Sequence, residues 1–298
     1  MRVLVAGASG LIGTELVRTL RTDGHEVRRL VRRRPAAAEE VNWAPSARTI
    51  DVQAVADVDA VINLSGASIA RLPWTSGYRR ELVESRVAAT RTLADAMNQA
   101  RTPPAVFISG SAVGFYGDRP GERLTEDSPR GTGFFPDLVD EWERTALLAP
   151  AATRVVQIRS AVVVAHGGGM APVRTLTGLG LGTRFGTGGQ HWPWISLFDE
   201  VAAIRHLLQK STLDGPVNLA GPTPATSGRI TRAFARRMHR PYLLRAPEGA
   251  VRLLGEAGQR LLLDSAKVVP TRLEADGFVW RHPRVEDAID AVFAPHVE

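Results

Sequence analysis

Three glycines, each three residues apart, lie in the segment GASGLIG near the start of the chain. The segment follows a short apolar strand pattern and opens a helix pattern. In such a unit the first glycine forms a tight turn, the second lets the backbone approach a pyrophosphate, and the third lets helix and strand pack closely. Free N–H groups at the helix N-terminus favour phosphate binding, whereas the alternative is a glycine-rich turn that binds nothing. The predicted cofactor contacts here are Gly7, Ser9, Gly10, Leu11 and Ile12.

An arginine-rich segment at the end of the second predicted strand decides which dinucleotide fits. An NAD site usually carries Asp or Glu there, to bind the ribose 2′-hydroxyl. Here residues 28–34 read RRLVRRR, with no acid. Arg32, about 20 residues past the glycines, could form a forked pair with a 2′-phosphate. We therefore predict NADP(H), the alternative being a solvated arginine cluster, to which Arg28 and Arg29 are best suited.

A third segment, NLSG at residues 63–66, ends another apolar strand pattern. The carboxyl ends of parallel strands line the cofactor crevice in doubly wound sheets. The glycine at position 66 would let the backbone pass beside the adenine ribose. The alternative is a plain turn. The predicted cofactor contacts in this segment are Asn63, Leu64, Ser65 and Gly66.

Strand and helix patterns alternate along the first 160 residues, and they would position these segments. Alternation of this kind is typical of right-handed crossovers and a parallel sheet covered on both faces. We predict an α/β fold with a Rossmann-type doubly wound parallel sheet. The predicted strands are 2–6, 26–31, 59–64, 105–109 and 154–158, and the predicted helices are 11–22, 75–100 and 134–148.

The pattern changes after residue 160, where glycines punctuate a loop-rich segment. We predict an NADP(H)-binding domain at residues 1–160 and a smaller, mostly helical substrate lobe at 161–298, with residues 197–219 returning to the sheet. The predicted elements of this half are helices 197–209 and 226–238, a strand at 217–219 and a mostly helical part at 247–293.

Composition narrows the classes of function. The chain has 298 residues and no cysteine, which excludes disulfides, thiolate metal sites and a cysteine nucleophile. Histidine spacing indicates no metal site. The absence of a long apolar run or signal-peptide pattern predicts a cytoplasmic protein without a membrane partner. The formal charge of +6 is compatible with nucleic acid, but no nucleic-acid-binding motif is present, so we predict no such partner. A homo-oligomer stays open.

Motifs along nearly the whole chain resemble the extended short-chain dehydrogenase/reductase superfamily, and more narrowly its atypical NADP-binding "epimerase family" branch. The resemblance implies a Rossmann domain that binds NADP(H) and a C-terminal substrate lobe, and it adds Glu81 and Arg86 to the cofactor contacts. It implies no particular substrate. The motifs are GASGLIG at 7–13, INLSGASI at 62–69, WTSGYRRELVESRVAAT at 74–90, ISGSAVGFYG at 108–117, GTGGQHWPWI at 186–195 and LLLDSAKVVPTRLEADGF at 261–278.

The catalytic pair that this superfamily usually carries, Tyr-x-x-x-Lys, occurs nowhere in the chain. The resemblance aligns Phe135 and Val139 with its two positions, and neither side chain can transfer a proton. Ser111 aligns with the substrate-orienting Ser or Thr, and Tyr116 follows on the same loop. We predict Ser111 as a hydrogen-bond donor to a carbonyl and Tyr116 as the acid. The alternatives are a turn-forming serine and a packed aromatic, with His191 as a spare acid/base.

Two functions follow as hypotheses. The first is an NADP(H)-dependent oxidoreductase or epimerase-like enzyme acting on a small polar or sugar-derived substrate with a carbonyl or hydroxyl group. The second is an NADP(H)-binding sensor or regulatory protein without catalysis, which the missing Tyr–Lys pair favours. The intact glycine motif does not separate the two.

Overall fold

An eight-stranded sheet organises the computed structural model, which describes residues 1–294. Its strand order is β12-β8-β6-β5-β1-β2-β3-β4, and neighbouring strands are parallel except β3 and β4. The strands of this sheet are β1 (Arg2–Ala6), β2 (Glu26–Val31), β3 (Glu40–Ala44), β4 (Thr49–Ile50), β5 (Ala60–Asn63), β6 (Val106–Ala112), β8 (Arg154–Ser160) and β12 (Gly215–Leu219). The remaining strands form two-stranded parallel pairs: β7 (Arg119–Leu124) with β14 (Ala266–Val268), β9 (Val162–Val164) with β11 (Trp194–Ser196), and β10 (Thr183–Phe185) with β13 (Leu244–Ala246).

Helices cover both faces of the large sheet. Residues of α1 and α6 pack on one face with Val3, Val5 and Ile108, and residues of α3 pack on the other with Leu4 and Phe107. The described helices are α1 (Leu11–Thr22), α2 (Val52–Ala56), α3 (Ser76–Gln99), α4 (Phe134–Ala146), α5 (Ala171–Gly178), α6 (Leu197–Gln209), α7 (Ser227–Arg237), α8 (Glu248–Arg252), α9 (Gly255–Gly258), α10 (Thr271–Ala275) and α11 (Val285–Val292). Because both faces are covered, the central strands are apolar on both sides.

Hydroxyl side chains fix where three of the longer helices begin. Thr75 accepts a hydrogen bond from the backbone N–H of Tyr78 at the start of α3. Ser196 and Thr226 accept equivalent bonds at the starts of α6 and α7. Each hydroxyl satisfies an N–H that has no partner within its helix, which stabilises the helix start. By contrast, Gly10, the residue before α1, has no side chain to cap the helix.

The predicted fold class is confirmed. Every predicted strand of the first half is present, and β12 joins the sheet beside β8 as expected for residues 197–219. The domain boundary at residue 160 stays a prediction. Segment 247–293 is helical in several short pieces, but it also contains β14, which the sequence analysis missed. The missed β7 has the sequence RPGERL and is mostly exposed, so it lacks the apolar alternation of a buried strand.

No helix within residues 1–294 is long and apolar enough to cross a membrane.

Candidate functional site

The glycine turn is packed too closely for side chains. Gly7 has a φ of +79°, and a Cβ there would lie 2.6 Å from the carbonyl carbon of Leu64. A Cβ on Gly13 would clash with the carbonyl oxygen of Gly7. Gly10 and Leu11 are exposed at the uncapped start of α1. The turn therefore presents backbone N–H groups to an open surface, with Ser9 exposed and Ile12 half-buried beside them.

The turn after β5 lies directly against the glycine turn. Fully buried Asn63 shapes it: its side-chain oxygen accepts from the backbone N–H of Ser65 at 3.1 Å, and its Nδ2 donates to Thr90 at 3.0 Å. The backbone N–H of Leu64 donates to Ala6 at 2.9 Å. Asn63 is therefore a positioning residue, and the structure brings the predicted segment 63–66 together with the glycine turn.

Arg86 supports this turn from α3. Its guanidinium donates to the backbone oxygens of Leu82 and Ala67 at 2.9 and 3.0 Å. A Cβ on Gly66 would lie 3.0 Å from the guanidinium carbon, so a side chain here would have to displace the guanidinium group. No carboxylate within residues 1–294 pairs with Arg86, and burial lowers its pKa to about 10. A cation without a paired carboxylate among the described residues thus lies beside the crevice. Glu81, by contrast, is exposed nearer the start of α3.

The arginine segment divides into paired and unpaired members. Arg33 forms two bonds with Glu40, at 2.8 and 2.7 Å, and Arg29 contacts Glu39 at 2.9 Å. Arg28 lies 3.4 Å from Glu26. Arg32 is exposed and has no ion pair or side-chain hydrogen bond to any described residue. Of the arginines nearest the end of β2, Arg32 is therefore available to a ligand.

Ser111, at the end of β6, belongs to a buried polar triad. Its hydroxyl donates to Glu143 Oε1 at 2.5 Å. Arg159 donates from Nε and Nη2 to the two oxygens of the same carboxylate, at 2.8 Å each. The β6–β8 register places Ser111 opposite Arg159, so both side chains meet α4 on one face of the sheet. The proton of Ser111 is thus directed to Glu143, and its lone pairs remain as acceptors.

Tyr116 lies in the core. Its hydroxyl donates to Asn218 Oδ1 at 2.7 Å and accepts from Arg159 Nη1 at 3.0 Å. The side chain has no exposed surface, and burial raises the pKa of the phenol against the opposing influence of Arg159. Tyr116 is therefore linked to Ser111 through Arg159 and Glu143 rather than by a direct bond.

Apolar side chains occupy the positions aligned with the missing Tyr–Lys pair. Phe135 and Val139, on α4, lie against the turn after β6: a Cβ on Gly114 would be 3.3 Å from the Cβ of Phe135. The rings of Phe135 and Trp74 contact edge to face at 5.1 Å between centroids. His191 lies apart, half-buried beside Ser265, and burial lowers its pKa.

The sequence analysis missed a second serine–carboxylate pair at the end of β8. Ser160 donates to Glu200 Oε1 at 2.6 Å, and Glu200 is fully buried on α6. Its other oxygen has no hydrogen-bond partner, and burial raises the pKa of Glu200 to about 8. The segment LFDEVAAI offered a signal, since this glutamate lies within the apolar face of an amphipathic helix.

Comparison with known proteins places this architecture in a family. Residues 3–133 match the NAD dependent epimerase/dehydratase family, and residues 246–292 match a domain of unknown function, DUF1731. The chain is 41% identical over 290 residues to epimerase family protein MT2273 of Mycobacterium tuberculosis, covering 96% of each. It is 33% identical over 303 residues to human epimerase family protein SDR39U1, covering 99% of this chain and 100% of that one. The chain belongs to the epimerase family.

The same relationship holds in three dimensions. The crystal structure of human epimerase family protein SDR39U1 (isoform 2) with NADPH superposes with a TM-score of 0.88 at 31% identity, covering 98% of this chain and 99% of that one. Similarity therefore extends from the glycine turn through the C-terminal helices.

Proposed function

We propose that the chain is an NADP(H)-dependent oxidoreductase or epimerase-like enzyme that acts on a small polar or sugar-derived carbonyl or hydroxyl substrate. The proposal rests on the combination of a glycine turn that exposes backbone N–H groups with an unpaired arginine at the end of β2. The first feature suits a pyrophosphate, and the second suits a 2′-phosphate. The NADPH bound by human SDR39U1 supports the same cofactor here.

The residues present fit this cofactor. The backbone of Gly7, Gly10 and Leu11 would hold the pyrophosphate, and Arg32 would hold the 2′-phosphate. Arg86 would add a cation beside the turn of residues 63–66. When bound, the nicotinamide supplies hydride exchange with a carbonyl or an alcohol. The chain itself must then orient the substrate oxygen and manage its proton.

Ser111 is the group best placed for that second task. Because its proton is directed to Glu143, its oxygen accepts a hydrogen bond from a substrate hydroxyl. When an alcohol is oxidised, a proton taken from that hydroxyl passes to Ser111 as the serine proton passes to Glu143. When a carbonyl is reduced, the protons move in the reverse direction, from protonated Glu143 through Ser111 to the substrate oxygen. Arg159 orients the carboxylate with two charge-assisted bonds. The triad thus performs proton transfer without the usual Tyr–Lys pair.

Tyr116 has a different role in this proposal. A phenol without exposed surface, hydrogen-bonded on both sides, does not reach a substrate. It instead positions Arg159, which in turn positions Glu143. We therefore propose a positioning role for Tyr116 in place of the role as the acid predicted from the sequence. A Tyr116→Phe variant separates the two roles, because loss of an acid abolishes turnover, whereas loss of one bond to Arg159 lowers the stability and shifts the pH profile of turnover.

One observation favours the second candidate function, an NADP(H) sensor without catalysis. Phe135 and Val139 pack an apolar surface where a proton-transferring pair would otherwise lie. A sensor needs cofactor binding but no proton path. Altering Ser111 should therefore lower turnover only if the chain is an enzyme. Changing Ser111 has no effect on cofactor binding under either proposal.

Calorimetric titration tests the cofactor half. NADPH, NADP⁺, NADH and NAD⁺ are titrated into the wild type, Arg32→Ala and Arg34→Ala. Arg34 is the matched control, because it is an exposed arginine two residues away. We expect the phosphorylated cofactors to bind roughly tenfold or more tightly, with the preference lost only in Arg32→Ala. Equal binding of NADH, or equal losses in both variants, contradicts the assignment.

Oxidation of NADPH in the presence of a panel of aldehydes, ketones and keto sugars tests the catalytic half. For any compound that is turned over, Ser111→Ala should lower kcat by roughly a hundredfold or more while the Kd for NADPH stays unchanged. Retention of kcat in Ser111→Ala would remove the triad from the mechanism. Binding of NADPH without turnover of any compound favours the sensor.

A further inference from the structure

A cleft of about 730 Å³ lies in the C-terminal lobe, away from the cofactor crevice. Its walls come from α7, α11 and the loop that follows β10, and we call it the α7–α11 cleft. None of the residues assigned above to the cofactor or the triad lines it. Its volume is within the range of small-molecule sites, roughly 300–1,000 Å³.

The charge of the cleft is strongly uneven. Six arginines line it against three carboxylates. On the α11 side the charges compensate each other: Arg229 forms two bonds with Glu286, at 2.7 and 2.8 Å, and Arg237 lies 3.1 Å from Asp290. The excess positive charge therefore belongs to the remaining arginines.

Three arginines of the cleft have no carboxylate partner among the described residues: Arg184, Arg232 and Arg236. Arg236 lies in the last turn of α7, where the helix dipole favours a cation, so it has an ordinary explanation. Arg232 lies one turn earlier and is exposed, with its guanidinium 5.5 Å from the ring of Tyr242. Arg184 comes from β10, outside the helix. Charges from two separate elements thus converge on one concave surface.

Arg184 is held in place and incompletely satisfied. Its Nε is buried and has no hydrogen-bond partner. Its aliphatic stem crosses Gly188, where a Cβ would lie 2.9 Å from the Arg184 Cδ, and Gly188 has a φ of +74°. Only glycine combines this backbone with this contact. A buried N–H without a partner costs free energy, so the fold holds Arg184 at the cleft at a cost.

We propose that the α7–α11 cleft binds the phosphoryl group of a small phosphorylated molecule. Guanidinium groups bind phosphate oxygens in a forked geometry, and two arginines on facing elements suit a compact dianion. A long nucleic acid fits less well, because Asp287 on the α11 wall forms no ion pair with a described residue and would repel its neighbouring phosphates. This site is separate from the proposed cofactor site and does not depend on it.

Titration with inorganic pyrophosphate at fixed ionic strength tests the site. The titration is repeated with saturating NADP⁺, which occupies the glycine turn, so that pyrophosphate binding there is recognised separately. Arg184→Gln and Arg232→Gln are compared with Arg240→Gln, the matched control, since Arg240 is exposed nearby but outside the cleft lining. Thermal melts establish that each variant folds, and the two cleft variants serve as alternatives if one does not.

We expect one saturable site per chain, weakened roughly tenfold or more by either cleft variant and unchanged by Arg240→Gln. Equal weakening by all three variants would mean non-specific charge attraction and overturns the proposal. So does the absence of saturable binding. Binding of a short single-stranded oligonucleotide in preference to pyrophosphate also overturns it, in favour of a nucleic-acid surface.

Discussion

Two serine–glutamate pairs lie at the ends of neighbouring strands, but only one of the two glutamates is bonded to a cation among the described residues. Ser111 donates to Glu143 at 2.5 Å and Ser160 donates to Glu200 at 2.6 Å, so the serine bonds alone hardly distinguish them. Ser111 is paired in register with Arg159, and Ser160 is paired with Ala112. The one-residue step sends the two serines to opposite faces of the sheet, the first toward α4 and the second toward α6.

The difference shows how a neighbouring cation compensates the charge of a buried carboxyl group. Glu143 receives two bonds from Arg159, which stabilise the carboxylate. Glu200 has no such partner, one oxygen is unbonded, and burial raises its pKa to about 8. The first pair therefore has a cation that compensates its carboxyl group, whereas the second holds a neutral acid.

Removing the cation should abolish this distinction, and it should destabilise the fold more than a change at Glu200 or Glu40. Arg159→Met leaves Glu143 buried without a counter-charge and removes a partner of Tyr116. We expect a loss of about 3–5 kcal/mol in the free energy of unfolding, measured by urea denaturation, because breaking a buried pair from one side strands the other charge.

The double variant Arg159→Met with Glu143→Gln provides the control. Since it also removes the stranded carboxylate, it should be more stable than Arg159→Met alone by roughly 1 kcal/mol or more. Equal stabilities for the single and double variants would mean that packing rather than charge dominates. In that case the contrast with Glu200 loses its physical basis.

Neutralising Glu200 should have the opposite effect, a stabilisation that grows with pH. The pKa of Glu200 is raised to about 8 in the folded protein from a usual value of 4.5. The folded chain therefore keeps a proton that the unfolded chain loses, and the stabilising contribution of this group decreases as pH rises from about 4.5 to 8. The slope is at most about 1.4 kcal/mol per pH unit.

Unfolding free energies of the wild type and Glu200→Gln, measured from pH 5 to 8.5, test this prediction. The variant should approach the wild type at pH 5 and exceed it increasingly toward pH 8. Glu84→Gln, on the exposed face of α3, is a control that should follow the wild type throughout. Parallel curves for wild type and Glu200→Gln would show that Glu200 titrates normally.

From the sequence we predicted one member of the first pair, Ser111, and neither member of the second. The glycine turn and the strand alternation depend on local spacing, so the sheet and the crevice were predictable. Ser111 was found through its alignment with the substrate-orienting Ser or Thr of the superfamily. Its partners Glu143 and Arg159 are far away in sequence and meet only through the β6–β8 register. The burial of Tyr116 likewise depends on Asn218, about a hundred residues later, through a bond that local patterns do not indicate.

The ion pair between exposed Arg33 and buried Glu40 extends the comparison, and a change to it should have the smallest effect on stability. Glu40 accepts two bonds from Arg33 and one from the backbone N–H of Ala36, and the Arg33 bonds above all lower its pKa to about 2. Its stabilising contribution is present above the usual pKa of 4.5 and is lost as pH falls toward 2. Because Arg33 is largely exposed, solvent screens the pair, and Glu40→Gln should destabilise the fold less than Arg159→Met does.

The more informative readout of Glu40→Gln is cofactor binding, since Glu40 ties down the segment that begins with Arg32. We expect a modest weakening of NADPH binding, of a few-fold, with no change for NADH, because only the 2′-phosphate contact depends on Arg32. Glu39→Gln is the matched control, as Glu39 pairs with Arg29 and Arg21 but not with Arg33. Equal weakening of NADPH and NADH would indicate general disruption of β2 and β3, and the pair would then position the strand rather than the arginine.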